Sequence, residues 1–212
     1  MKGKRFIVSK KQLNTFTFVY VIFYLIAFFA LESREEPLHI IHCWLDDLIP
    51  FCEYFVIPYF LWFLYLIGTG IYFLFYCDDI KECEKFIFNI CTGMTVFLVV
   101  SYIYPNGHEL RPILENENIF TKIVEFLHWV DTPTNILPSM HVYATVACSI
   151  ALIRQQQISK NRLAQAGIFL ISIAIIASTL FLKQHSVIDV ITALGLNVIC
   201  YVIFYAIQYR KI

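Results

Sequence analysis

NILPSMHVYATVACSIALI, residues 135–153, decides the fold. Its second part, VYATVACSIALI, is apolar but short for a bilayer crossing, which needs roughly 20 residues. Read as a span over 141–154, it makes an even set of crossings and returns the chain to the side on which it began. Its first part sets Pro138, Ser139 and His141 at the mouth of that apolar run. Hydrogen-bonding and titratable groups at such an entrance call for a partner, and the rest of the chain has to supply it.

The 212 residues are 59% hydrophobic and 17% aromatic, and only 15% are charged. Mean hydropathy is +0.67. Soluble domains carry about 25% charged residues, so the chain reads as an integral membrane protein. The formal net charge is zero, which gives no electrostatic reason to expect nucleic acid. The expected fold is all-α: a single membrane domain over 1–212, a bundle of six spans at 13–31, 51–76, 86–104, 141–154, 164–182 and 187–208. The first apolar run is long for a signal peptide and has no small-residue cleavage site before Glu32, so it reads as a retained span. LHIIHCWLDDLIP (38–50) is too short and polar to cross. Ile119, Ile123, Phe126, Leu127 and Val130 suit an amphipathic interfacial helix over 118–130 in an outer loop. The seven cysteines form no CxxC pair and read as free thiols, although Cys43 and Cys52 could meet in one outer segment.

Lysine and arginine set the orientation. With the N-terminus in the cytoplasm, Lys2, Lys4, Arg5, Lys10, Lys11, Lys81, Lys85, Arg154, Lys160, Arg162, Arg210 and Lys211 lie inside. Arg34, Arg111, Lys122 and Lys183 lie outside. Short cytoplasmic loops carry the excess of basic residues, so both termini are expected in the cytoplasm of a multi-pass cell-membrane protein. All six histidines then fall at the outer face or its lip.

Three segments carry candidate chemistry: 104–114 (YPNGHELRPIL), 137–142 (LPSMHV) and 178–190 (STLFLKQHSVIDV). Arg111 offers a planar fork of donors for phosphate, and Lys183 a second positive charge. Ser139 supplies a hydroxyl. The amides around Met140 open a helix, where unpaired N–H groups bind anions. Asp189 lies four residues after His185, so a carboxylate can hold one imidazole nitrogen and fix its tautomer. His141 is a second imidazole. An anion clamp, a nucleophile with an orienting carboxylate and an acid, with no evident metal cage, read as phosphoryl transfer through a covalent histidine. His39, His42, Asp46 and Asp47 do not complete a ligand set. His108 and His128 read as interfacial residues rather than catalysts.

The spacing S-x6-H-x3-D at Ser178, His185 and Asp189, with P-S-x-H at Pro138–His141 and R-P at Arg111–Pro112, resembles the type 2 phosphatidic acid phosphatase superfamily. That superfamily includes membrane lipid phosphatases, polyprenyl diphosphate phosphatases, haloperoxidases and distant sphingolipid synthases. The resemblance implies a lipid phosphate phosphatase working without metal or cofactor on the phosphomonoester or diphosphate headgroup of a membrane lipid at the outer face. His185 would attack phosphorus, Asp189 would orient it, and His141 would protonate the leaving oxygen. Arg111, Ser139, Ser178 and the Met140 amide would hold the phosphoryl oxygens. Tyr104 stands where the family has lysine, Met140 where it has glycine, and Thr179 where it has arginine. Lys183 is the candidate to replace one lost cation. The departures keep two alternatives open: a lipid phosphotransferase of the sphingolipid-synthase type, or a catalytically decayed lipid-binding member.

Overall fold

The computed structural model describes residues 9–34, 38–114 and 118–207. Lys2, Lys4, Arg5, Arg210 and Lys211, used above to orient the chain, lie outside the described residues, as do Glu35, Glu36, Pro37 and the end of the last expected span. The order is α1 (Lys10–Glu32), β1 (His39–Ile40), α2 (Trp44–Leu48), α3 (Val56–Ile71), α4 (Ile80–Ile103), β2 (Asn106–Gly107), α5 (Ile119–Val130), α6 (Met140–Ile153), α7 (Gln156–Ser159), α8 (Arg162–Phe181) and α9 (Val187–Tyr201). A 3-10 turn at Glu53–Phe55 leads into α3. π-helical turns at Tyr72–Tyr76 and Val202–Ala206 extend α3 and α9.

Among the described residues five helices are long and apolar enough to cross a membrane: Lys10–Glu32, Glu53–Tyr76, Ile80–Ile103, Arg162–Phe181 and Val187–Ala206. Their outward faces carry Phe18, Ile26, Leu64, Ile67, Leu170, Ile191 and Val198, all exposed. An apolar surface of that extent is untenable in water and fits lipid, so the protein is a multi-pass membrane protein. Local signals begin several of the helices. Ser9 caps α1 in a reciprocal box with Gln12, Asp79 caps α4 through the amides of Lys81 and Glu82, and Asn161 caps α8. These side chains satisfy amides that the first helical turn leaves unpaired.

α6, the short run of the opening stretch, packs against α3, α4, α8 and α9. It buries Val142, Tyr143, Ala144, Thr145, Ala147, Cys148, Ser149 and Ala151. Its alanines let neighbouring backbones approach. The Thr145 and Ser149 hydroxyls donate to the carbonyls of His141 and Thr145 at 2.6 and 2.7 Å, so neither is left unpaired in an apolar setting. A helix walled by protein has no need of large lipid-facing side chains, and α6 is apolar but shorter than the five long helices. On α4, Gly93 makes room for the Tyr143 ring. A Cβ there would lie 1.9 Å from Tyr143 Cε1.

The two ends of the bundle differ. At one, Lys10 Nζ donates to the carbonyls of Phe73 and Cys77 at 2.7 and 2.6 Å, and Arg154 pairs with Glu82. At the other, β1 and β2 form a two-residue parallel pair that the all-α expectation did not include, and Gly107 bridges antiparallel to Thr134. Gly107 is required there because a Cβ would stand 2.6 Å from the Pro133 carbonyl oxygen. α5 also departs from expectation. It buries Thr121, Val124 and Leu127, of which Val124 and Leu127 pack with Val56, Tyr59 and Leu182, while Ile119, Phe126, Trp129 and Val130 face outward. The expected stripe thus divides between an inner and an outer apolar face. All seven cysteines are free; Cys43 and Cys52 are half-buried.

Candidate functional site

The chain between α8 and α9 makes the site's sharpest turn. Lys183 takes φ +56°, the left-handed conformation usual for glycine after a helix and costing a bulky residue roughly 1–2 kcal/mol. That turn delivers Gln184 and His185, whose amides both donate to the Thr179 carbonyl. Ser186 then caps α9 in a reciprocal box with Asp189. The Asp189 carboxylate folds back so that Oδ2 accepts from the Ser186 amide at 2.8 Å and lies 3.3 Å from His185 Nδ1. His185 precedes the cap rather than sharing a helical face with Asp189. The contact comes from capping geometry, not from the i, i+4 stripe expected.

His141, in the first turn of α6, sets Nδ1 3.2 Å from Nε2 of His185. With a carboxylate holding Nδ1–H of His185, Nε2 is the acceptor and His141 Nδ1–H the donor. The His141 ring also lies against Tyr59 and Trp62 of α3, centroids 4.6 and 4.3 Å away. His185 is 7% exposed and Asp189 fully buried. Ser139 is buried and caps α6, accepting from the Val142 amide at 3.4 Å, and its own amide donates to the Asp189 carbonyl at 3.2 Å. Met140 opens α6, where the first amides have no partner one turn back.

Arg111 reaches the same place from the chain after α4. Nη1 donates to the His128 carbonyl at 3.1 Å. Nη2 donates to the Asp131 carbonyl at 2.5 Å and to Gln184 Oε1 at 2.7 Å. The Asp131 carboxylate accepts from the Tyr59 hydroxyl at 2.5 Å, tying α3 to this cluster. Two of the nominated residues, and Tyr104 where the resemblance would put a lysine, stand otherwise. The Lys183 ammonium donates to the Asp46 carbonyl at 2.5 Å and lines a cleft of about 520 Å³ with His42, Asp47, Glu109 and Leu110, so it is engaged there rather than with the histidine pair. The Ser178 hydroxyl donates into its own helix, to the Ile175 carbonyl. Tyr104 stacks on His39 at 4.2 Å.

Several functional neighbours were not read from the sequence. His108, expected at the interface, is buried, 3% exposed. Nδ1 accepts from the Leu110 amide at 3.1 Å, so Nε2 carries the proton and donates to the Gln184 carbonyl at 3.0 Å. Burial above all, then His185 and Arg111 nearby, pulls its pKa down to about 4, and burial and Arg111 do the same to His128, also to about 4. Asp46 is buried, accepting from the Cys43 amide, the Ser186 hydroxyl and the Val187 amide. Burial raises its pKa, but those hydrogen bonds outweigh burial and hold the carboxyl below its ordinary value. Asn106 Oδ1 accepts from the amides of Ile136 and Leu137, both at 2.9 Å, and so hangs the approach to α6 on the chain after α4. Glu32, at the end of α1, accepts from Thr132, Thr134 and Asn135. The legible hint was PNGH itself, a turn dipeptide beside a histidine. Asp46, Asp131 and Gln184 gave none, because each acts on residues distant in the sequence.

Among the described residues no group of three or more His, Cys, Asp or Glu side chains is placed to hold a metal ion. His42 pairs with Asp47, and Asp46 is committed to α9. What the arrangement offers is a proton-donating imidazole, an acceptor imidazole backed by a carboxylate, and a guanidinium, gathered from α6, the α8–α9 turn and the chain after α4. No protein-family model, curated protein or solved structure matches the chain.

Proposed function

We propose that the protein is an integral-membrane lipid phosphate phosphatase that hydrolyses the phosphate ester of a membrane lipid through a phosphohistidine at His185. The observation that carries this is the relay Asp189 Oδ2, His185 Nδ1, His185 Nε2, His141 Nδ1, with steps of 3.3 and 3.2 Å. A carboxylate behind one nitrogen makes the other a better nucleophile and stabilises the ring once it carries positive charge. A phosphoryl group entering between the rings would meet His185 Nε2 on one side and the His141 proton on the other. Arg111 stands one side chain away, through Gln184.

The membrane arrangement follows the same reading. α6 is the sixth crossing, walled by α3, α4, α8 and α9, and α5 lies along the membrane surface with Ile119, Phe126 and Trp129 in lipid. The basic residues Lys10, Lys11, Lys81, Lys85, Arg154, Lys160 and Arg162 belong to the end opposite the site, so the positive-inside rule faces the site outward and puts both termini in the cytoplasm. The burial of His185 favours a second reading, transfer to a lipid hydroxyl instead of water, because the acceptor would then arrive from the bilayer.

The test is turnover of a panel of lipid phosphates by purified protein, with free phosphate and new lipid products both measured. His185→Ala is expected to lower kcat/KM by at least about 10³-fold while the protein stays folded. Excess EDTA is expected to leave the rate unchanged. Full activity in the variant removes His185 as nucleophile, and a rate lost to EDTA and restored by a divalent ion removes the metal-free route.

A further inference from the structure

The same end of the bundle holds buried donors that no protein group satisfies. Gln184 is 3% exposed. Its Oε1 accepts from Arg111 at 2.7 Å, which fixes the amide's orientation, since the reverse would set an NH2 against a guanidinium. Its Nε2 is then buried with no partner, and so are Arg111 Nε and Trp62 Nε1. Native proteins leave few such groups, and each calls for an explanation. Nε of arginine, an indole N–H and a carboxamide NH2 can only donate, so an acceptor is what they lack, and an oxyanion is the acceptor a phosphoryl site receives.

Positive charge is scarce there. Lys183 is taken up by the Asp46 carbonyl, Tyr104 by His39, and the Thr179 hydroxyl donates to the Ile176 carbonyl. Arg111 is the permanent cation in contact with the cluster, and Asp131 and Asp189 each bring a carboxylate. His108 and His128, both lowered to about 4, are neutral near pH 7. A neutral amide donates to an oxyanion without cancelling its charge.

We propose that the Gln184 side-chain amide donates to a phosphoryl oxygen beside His185, and that the group bound there is singly charged: the phosphodiester of a glycerophospholipid headgroup rather than a dianionic phosphomonoester. This rests on His185 being the nucleophile, and it takes a phosphodiester as the phosphoryl donor, as the transfer reading does, in place of the phosphomonoester that phosphatase action would take. A bond forms between His185 Nε2 and phosphorus as one ester P–O bond breaks. The leaving oxygen keeps the bonding electrons and takes the proton from His141. An acceptor hydroxyl, of water or of a lipid, then adds to phosphorus, the N–P bond breaks, and the acceptor's proton returns to His141. No redox partner is needed.

The test compares phosphatidylglycerol and phosphatidate of identical acyl chains at pH 8.5, where a phosphomonoester is dianionic, using the full chain in vesicles. The diester is expected to have the higher kcat/KM by at least about tenfold, since charge mismatch discriminates. Gln184→Met is expected to lose about 10²-fold on the diester, as for a lost oxyanion donor. Gln184→Lys is expected to move the preference toward phosphatidate. Gln184→Glu, nearly isosteric and able to keep the Arg111 contact, is expected to remain monodisperse and to lose activity, which separates a lost donor from a lost fold. Preference for phosphatidate at pH 8.5, or a Gln184→Met rate within about threefold of the parent, overturns the proposal. If His185→Ala retains the rate, the underlying nucleophile reading fails instead, and this inference falls with it.

Discussion

At the scale of the residue, the site is an exercise in shared partners. One oxygen of Asp189 both closes the cap of α9 and holds His185, so the proposed catalysis and the fold draw on the same atom. Asp189→Asn separates them. The amide oxygen can still accept from Ser186, as asparagine caps helices as well as aspartate, but it cannot stabilise a positive imidazole. The expected outcome is a fall of about 10²–10⁴-fold in kcat with a melting temperature within a few degrees of the parent, read by steady-state kinetics and thermal unfolding. The histidines, the aspartate and Arg111 were legible in the sequence because their types and spacings state their chemistry. Gln184, Asp131 and Tyr59 were not, since a carboxamide, a carboxylate and a phenol become informative only once the fold shows what stands opposite them. Lys183 was legible as a charge but not as a turn residue, and the direction of its side chain follows from the turn.

At the scale of the element, packing and loop anchoring set the tolerances. Gly93→Ala would push a methyl into the buried Tyr143 ring, which is pinned by its hydroxyl on the carbonyl and side chain of Asn89 at 2.9 and 2.6 Å. The α4–α6 contact has to open, at a cost of about 1–3 kcal/mol as in other overpacked cores, measurable as a lower denaturation midpoint in detergent. The loop between α4 and α5 is pH-sensitive through His108. Its folded pKa lies near 4, below the ordinary 6.5, so the folded state holds the neutral ring. The stabilisation is complete above 6.5 and is lost as the pH falls from there toward 4, because the unfolded chain takes up the proton first. Melting temperature is therefore expected to drop across that interval, and His108→Gln, which keeps a donor for the Gln184 carbonyl, is expected to flatten part of the slope. An unchanged slope would assign the effect to His128 or elsewhere. The long helices were readable from hydropathy alone. The inner face of α5 was not, because its sequence is apolar on more than one side and only the neighbours Val56, Tyr59 and Leu182 show which side is taken.

At the scale of the whole molecule, the arrangement places the site and the Arg154–Glu82 pair at opposite ends. Cysteines introduced into a cysteine-free background at Ile113 and Gln157 test it: a membrane-impermeant maleimide applied to intact cells is expected to label the first and to reach the second only after permeabilisation. The reverse pattern would turn the protein over, and labelling of both would remove α6 as a crossing. That helix has 14 residues, so at 1.5 Å per residue it is about 21 Å long, against a hydrocarbon slab of about 30 Å. Its surrounding helices bridge the difference and it does not. With α6 as the proposed sixth crossing, the imidazoles would belong to a recess sunk below the lipid carbonyls, and a headgroup would have to be drawn down to them. Bilayer thickness would then become a control on the proposed activity, with short-chain membranes shallowing the well and long-chain membranes deepening it.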